Sequence, residues 1–163
     1  MIQRGIKKII LGIDPGIGNI GWGYIQSEKN ILTCIAYGCI KTPPRTPCAE
    51  RLFLLYTQLQ TLLSERRPDI IAVEKIYFVK NITTGIEVSH ARGVILLAAY
   101  MSGVPITEHT PLQVKQAVTG YGKAEKQQIQ KMTQTILRIK EKPRPDDAAD
   151  ALAVAICASQ IVL

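Results

Sequence analysis

The residues in this chain best suited to chemistry are carboxylates at the boundaries of apolar segments. Asp14 closes an apolar run directly before Pro-Gly, and Glu74 closes a second one. Asp147 and Asp150 lie in an alanine-rich segment near the C-terminus. Oxygen ligands without histidine or cysteine suit Mg²⁺ or Mn²⁺, which also bind substrate phosphates. The four carboxylates therefore predict a site for divalent metal ions.

A cluster of four carboxylates is consistent with phosphodiester hydrolysis. Without a cation the charges would repel one another and raise each other's pKa values, so the cluster makes sense mainly with metal bound. Two ions about 3.5–4 Å apart can activate a water and stabilise the leaving oxygen of an in-line displacement. Taken singly, Asp14 has a simpler role open to it, as the first residue of a type I turn.

Two short strands must position the first two carboxylates. Alternation along a strand puts Ile10, Gly12 and Asp14 on one face, and it puts Ala72 and Glu74 on one face of the second strand. A small residue therefore lies beneath each terminal carboxylate. We expect this to leave room for something to approach Asp14 closely at the carboxyl end of a strand, where ligands often bind in open α/β sheets.

The remaining periodicity predicts an α/β chain without internal repeats. Strands are expected over 8–14, 20–25, 31–40, 69–74 and 104–108, and the short connections make the first three an antiparallel meander. Helices are expected over 49–66, 84–102, 110–120, 124–137 and from Asp146 onward. The third begins with a capping box at Thr110, and the last has Asp146 as its N-cap. In the fourth, Ile129, Met132 and Ile136 are expected to face inward. Alanines around Asp147 and Asp150 would let the last helix pack close to the sheet.

Length and composition indicate one globular domain over residues 1–163. The chain is 47% hydrophobic, and no apolar run is long enough for a transmembrane helix. The first eight residues do not resemble a signal peptide, so we expect a cytoplasmic protein. The four cysteines lack zinc-ligand spacing and are expected to be small, neutral residues without disulfides.

The positive charge is concentrated in one segment. The net charge is +7, and residues 123–144 contain seven basic and two acidic side chains directly before the aspartate pair. Such clustering favours contacts with phosphates and predicts binding that weakens steeply with salt.

Several motifs together resemble the RuvC family of bacterial Holliday-junction resolvases. They are GIDPG at 12–16, AVEKIYFVKN at 72–81, HARGV at 90–94, VKQAVTGYGKAEK at 114–126 and DAADALAVAI at 147–156. The resemblance implies a ribonuclease-H-like fold with a five-stranded mixed sheet, three strands in an antiparallel meander plus two parallel strands, flanked by helices. It also implies that Asp14, Glu74, Asp147 and Asp150 are the metal-binding catalytic tetrad.

The same resemblance suggests DNA-contacting residues. Tyr77 corresponds to an aromatic residue that would stack on a base near the junction, although Phe78 or a core position for Tyr77 are alternatives. Lys115 and Lys126 match lysines of the DNA-binding or active-site region, with a solvated surface as the alternative.

The family also implies partners and a reaction. We expect a homodimer that contacts itself through the apolar helix 84–102 and resolves four-way junctions by symmetric paired nicks. Two Mg²⁺ ions, replaceable by Mn²⁺, would activate the attacking water, and the products would carry 5′-phosphates. A branch-migration motor complex of the RuvA and RuvB type is implied as a partner.

The sequence departs from the family pattern at a few positions. Lys123 stands where relatives can carry serine, and His90 replaces what is often an amide residue. We interpret His90 and His109 as surface or interface residues rather than catalysts.

Three other functions remain open at this point. An actin-like or sugar-kinase ATPase also begins with an Ile-Asp-x-Gly strand, but this chain lacks a second duplicated domain. Another nuclease of this fold would cut RNA–DNA hybrids or ordinary duplexes. A junction-binding scaffold would not cut, and such a protein would bind DNA better without four carboxylates.

Overall fold

A computed structural model describes residues 7–76 and 82–161. The strands are β1 (Lys8–Asp14), β2 (Asn19–Glu28), β3 (Ile31–Lys41), β4 (Ile70–Glu74) and β5 (Ile106–His109). The helices are α1 (Cys48–Glu65), α2 (Ile82–Met101), α3 (Pro111–Thr119), α4 (Lys126–Ile136) and α5 (Asp146–Ser159). Every strand and helix expected from the sequence is present, with boundaries that differ by a few residues.

The five strands form one mixed sheet in the order β3-β2-β1-β4-β5. Strands β1, β2 and β3 pair antiparallel, whereas β4 pairs parallel with both β1 and β5. Because β1 and β4 are parallel neighbours, their carboxyl ends meet at the same edge of the sheet. This edge carries Asp14 and Glu74, so the predicted topology is confirmed.

Helices cover both faces of the sheet and divide the core in two. Helices α1 and α2 bury Leu55, Leu59 and Ile95 against one face. Helices α3, α4 and α5 cover the other face, where α5 buries almost all of its residues. A helix that is apolar around its girth must be central, and α5 accordingly contacts every strand of the sheet.

Small residues let α5 lie close against the strands. A β-carbon at Gly12 would lie 2.7 Å from the backbone nitrogen of Ala155 and would collide with the Ala151 carbonyl. A β-carbon at Gly21 would collide with the Asp147 carbonyl. The expected close packing of α5 is confirmed. The room beneath Asp14 that we assigned to an approaching group is filled by α5 itself, and that part of the prediction is wrong.

Helix α3 begins and ends as its sequence predicts. The Thr110 hydroxyl accepts a bond from the Gln113 backbone N–H, and the Gln113 side chain accepts one from the Thr110 N–H. Gly120 then ends the helix with φ of 72°, a left-handed conformation that glycine adopts without strain.

Two details of the α4 and α5 predictions are wrong. Asp146 is the first residue of α5, and Pro145 occupies the N-cap position, so the Asp146 side chain does not cap the helix. Met132 is exposed, whereas Gln130 and Thr133 face inward on α4. Ile129 and Ile136 are half-buried and pack beside the α5 core cluster.

Two further properties of the described residues bear on the sequence interpretation. No helix in the two described ranges is both long and apolar enough to span a bilayer. Cys34, Cys39, Cys48 and Cys157 are all free thiols, as expected from their spacing.

Candidate active site

The four predicted carboxylates converge at the carboxyl edge of the sheet. Asp14 and Glu74 end the adjacent parallel strands β1 and β4. Asp14 pairs with Gly21 of β2, and the backbone of Asp147 packs directly on Gly21. The first turns of α5 therefore bring Asp147 and, one turn on, Asp150 towards the strand ends.

Electrostatics show how strongly these groups interact. Burial, followed by the charges of Glu74, Asp150 and Asp147, raises the pKa of Asp14 from 3.8 to about 8. Asp14 and Glu74 also share a side-chain hydrogen bond. Ionising both hydrogen-bonded carboxyls is unfavourable because two negative charges would lie side by side. At neutral pH the Asp14–Glu74 pair therefore retains a proton unless a cation is bound.

The pKa values of Glu74 and Asp150 are raised by burial and lowered by nearby lysines. Burial raises the pKa of Glu74, the bond from Asp14 lowers it, and Lys115 also lowers it. Burial likewise raises the pKa of Asp150, and this effect outweighs the opposing influence of Lys126. Three of the four carboxylates therefore carry more repulsion and desolvation than the surrounding lysines relieve.

Lysines border the carboxylates on the α3 and α4 side. A cleft of about 200 Å³ is lined by Glu74, Lys115, Lys126 and Asp150 with apolar residues behind them. The Lys126 amine lies 3.1 Å from the Asp150 carboxylate and 3.8 Å from that of Asp146. Burial alone would lower the pKa of Lys126, but its bond to Asp150 and the nearby aspartates raise it. Lys126 thus occupies a cation's place beside Asp150.

The donor set fits a hard divalent cation, although the side chains would have to adjust to hold one. Every group in the cluster is an oxygen donor, and the raised pKa of Asp14 reflects excess negative charge. In the part of the chain that the structure describes, no three Asp, Glu, His or Cys side chains are gathered closely enough to hold one ion as they stand.

His109 is not at the surface, contrary to the expectation from sequence. It pairs with Glu74 across β4 and β5, and only 2% of it is exposed. Its ring contacts the Cys157 sulfur at 3.5 Å and the Thr107 hydroxyl at 3.0 Å. Burial and Lys75 lower the pKa of His109, so the ring is a neutral support beneath the site. His90 is exposed on α2, as expected.

The aromatic contacts predicted for DNA, Tyr77 with Phe78 as its alternative, lie outside the described residues.

Comparison with known proteins identifies the family. The family model for crossover junction endodeoxyribonuclease RuvC matches residues 10–158. The chain belongs to the RuvC family. Members of this family are nucleases that act on Holliday junctions in recombination and repair, and they are generally metal-dependent.

Individual relatives agree over nearly the whole chain. RuvC of Brevibacillus brevis is 54% identical over 151 residues, covering 93% of this chain and 91% of that protein. RuvC of Desulfitobacterium hafniense is 52% identical over 149 residues, covering 91% and 90%. The structure of T. thermophilus RuvC in complex with Holliday junction substrate matches with a TM-score of 0.87 and 35% identity, covering 93% of each chain. The ribonuclease-H-like fold expected from the sequence is confirmed.

A more distant structure shares the fold alone. The yeast mitochondrial Holliday junction resolvase Ydc2 matches with a TM-score of 0.68 at 13% identity, covering 91% of this chain and 77% of that one.

Proposed function

We propose that this protein is a crossover junction endodeoxyribonuclease that resolves four-way DNA junctions by symmetric paired nicks. The observation that supports it best is that Asp14 interacts electrostatically with Glu74 and Asp150, which line one cleft together with two lysines. Within a RuvC-family chain, this arrangement suits hydrolysis of a phosphodiester held between cations and carboxylates. We propose that the whole chain, residues 1–163, forms one nuclease domain acting in the bacterial cytoplasm.

In this proposal Asp14, Glu74, Asp147 and Asp150 hold two Mg²⁺ ions, for which Mn²⁺ can substitute. When bound, the ions supply the charge that activates water and stabilises the leaving oxygen, and the products carry a 5′-phosphate and a 3′-hydroxyl. Asp14 lies centrally because it interacts with each of the other three carboxylates. Its raised pKa makes the cluster release a proton as cations enter, so activity should rise towards alkaline pH.

The lysines and the aromatic segment contribute to binding. Lys115 and Lys126 line the cleft and would contact phosphates flanking the cut. Lys126 pairs with Asp150 in the metal-free protein; were Asp150 to hold a cation instead, the Lys126 amine would be available to DNA. On the resemblance alone, we also propose that Tyr77 stacks on a base near the junction.

The protein should act as a homodimer, because two symmetric cuts require two active sites related by a two-fold axis. Helix α2 offers the contact surface. It exposes five large apolar side chains, those of Ile82, Ile86, Leu97, Tyr100 and Met101. The neighbouring helix α1 adds a sixth, Phe53. A monomer that exposed this surface would be prone to association. Partnership with a RuvA and RuvB type motor complex is supported by the resemblance alone.

The decisive experiment is cleavage of a synthetic four-way junction, beside a linear duplex and an RNA–DNA hybrid, with Mg²⁺ and with chelator. We expect paired nicks confined to the junction, present with Mg²⁺ and absent with chelator. Asp14→Asn should abolish cutting and retain junction binding. Undiminished cutting by Asp14→Asn would contradict the site, and cutting of the hybrid instead would contradict the substrate. If the parent protein binds the junction tightly but does not cut it in Mg²⁺ or Mn²⁺, that result would favour a junction-binding scaffold without nuclease activity.

A further inference from the structure

A second basic cavity opens on the opposite side of the sheet from the carboxylate cleft. It has a volume of about 260 Å³ and is lined by Lys75, Ile76, Ser89 and Arg92. Each water molecule occupies about 30 Å³ in the liquid, so this cavity is large enough for a phosphate group with part of its hydration shell. Two cationic side chains in so small a space indicate an anionic occupant.

The strand pairing fixes this position relative to the active site. Glu74 pairs with His109, whose ring contacts Cys157 of α5, so both face the α5 side. The preceding residue of β5, Glu108, bonds Arg92 of α2 on the other face. Lys75 follows Glu74 directly and extends to the side of Arg92, with its backbone N–H bonded to the His109 carbonyl at 2.7 Å.

Arg92 has unused hydrogen-bonding capacity. Its Nη2 pairs with the Glu108 carboxylate, but the buried Nε has no partner among the described residues. A buried N–H without a partner is unfavourable, and a guanidinium presents five donors in a planar fork that matches a phosphate. Arg92 also lines the cavity, so its guanidinium can meet an anion there while Glu108 holds it in place.

We propose that Lys75 and Arg92 bind a backbone phosphate of the junction strand that is cut at the carboxylate cleft. This inference rests on the proposed function, because it places the DNA strand across the carboxyl edge of β4. Lys75 directly follows Glu74, so the bound phosphate would belong to the same strand and lie near the cut. The contact would fix how far the strand slides past Glu74, and it would therefore position the scissile bond.

The test is the salt dependence of junction binding without divalent metal, measured by fluorescence anisotropy for the full-length protein. Arg92→Gln and Lys75→Gln should each reduce the slope of log affinity against log salt by about 1. Each should weaken binding about tenfold at low salt. Arg67→Gln removes a cation near Gly103, away from the carboxyl edge, and should leave the slope unchanged.

Glu108→Gln separates a DNA contact from a structural ion pair. If Arg92 binds phosphate, removal of the competing carboxylate should leave the slope intact and strengthen binding about twofold. If the ion pair is merely structural, Glu108→Gln and Arg92→Gln should lower the melting temperature alike and change binding alike. That result, or an unchanged slope in both Lys75→Gln and Arg92→Gln, would overturn the proposal.

A cleavage assay on the parent protein distinguishes failure of the phosphate-site proposal from failure of the proposed nuclease function. A parent that cuts junctions while both variants keep the parental slope disproves only the phosphate site. A parent that binds junctions without cutting, with reduced slopes in both variants, disproves only the proposed nuclease function.

Discussion

Removing the charge of Asp14 should stabilise the metal-free protein while it abolishes cleavage. Burial and the neighbouring carboxylates raise the pKa of Asp14 from 3.8 to about 8. Between these two values the native state binds more protons at this site than the unfolded state does. The free energy of unfolding therefore falls as pH rises through this interval. The contribution of the protonated carboxyl is complete below about pH 4 and lost above about pH 8.

The structure sets a ceiling on the size of this effect. A tenfold change in a proton equilibrium corresponds to about 1.4 kcal/mol, so ionising native Asp14 costs at most about 6 kcal/mol. Glu74 has a raised pKa too and can keep the shared proton when Asp14 ionises, which relieves part of the repulsion. We therefore expect Asp14→Asn to gain about 2–3 kcal/mol over the parent at pH 8.5. The asparagine amide can still donate a bond to the Glu74 carboxylate.

Urea unfolding in EDTA at pH 5 and at pH 8.5 measures this gain. The advantage of Asp14→Asn over the parent should be much smaller at pH 5, where native Asp14 keeps its proton and only the start of the interval has been crossed, than at pH 8.5. Asp146→Asn is the matched control, because Asp146 is exposed and pairs only loosely with Lys126 and Lys142 at 3.8 and 3.7 Å. It should show no gain that depends on pH. Equal stabilities of the parent and Asp14→Asn at pH 8.5 would refute the reasoning.

Three further predictions follow from the packing and charges. Gly12→Ala should lower the free energy of unfolding by about 3 kcal/mol or more in urea titrations, because its β-carbon meets the backbone of α5. Gly18→Ala, whose β-carbon would approach only the end of the Arg51 side chain at 3.4 Å, should cost far less, and equal losses would contradict this account. Lys126→Gln should raise the pKa of Asp150 further in the metal-free protein, measured by NMR titration of the carboxyl carbons, because Asp150 loses the cation at 3.1 Å; an unmoved titration would contradict that coupling. Leu97→Glu should give monomers in analytical ultracentrifugation and unpaired nicks, whereas Ile31→Glu, equally exposed on β3, should stay dimeric; a dimeric Leu97→Glu would exclude the α2 contact.

The sequence predicts most of the fold because local patterns determine most of it. Short connections made the first three strands an antiparallel meander, and the capping box at Thr110 marked the start of α3. The positions of Asp14 and Glu74 followed from the same patterns, since both end apolar runs and parallel strands share a carboxyl edge. These features depend on residues close together in the chain, so one sequence is enough to recognise them.

The features that the sequence misses depend on distant partners. His109 ends a short strand and looks like a surface residue, but Cys157, 48 residues later, covers its ring. Met132 fits an inward stripe on α4, yet Gln130 and Thr133 are the residues that are buried there. Periodicity shows that a helix has an inner face, but the neighbouring helix decides which side of a weakly apolar helix becomes that face.

Gly12 shows how stability and function depend on the same contact. The missing side chain beneath Asp14 does not leave space for a ligand; it admits the backbone of α5. Gly21 does the same one strand away, and it thereby brings Asp147 to the strand pair that carries Asp14. Close packing therefore assembles the carboxylates, and their assembly raises the pKa of Asp14. The apolar contact must offset the resulting repulsion, which explains why this helix is so completely buried while its first turn carries the charges.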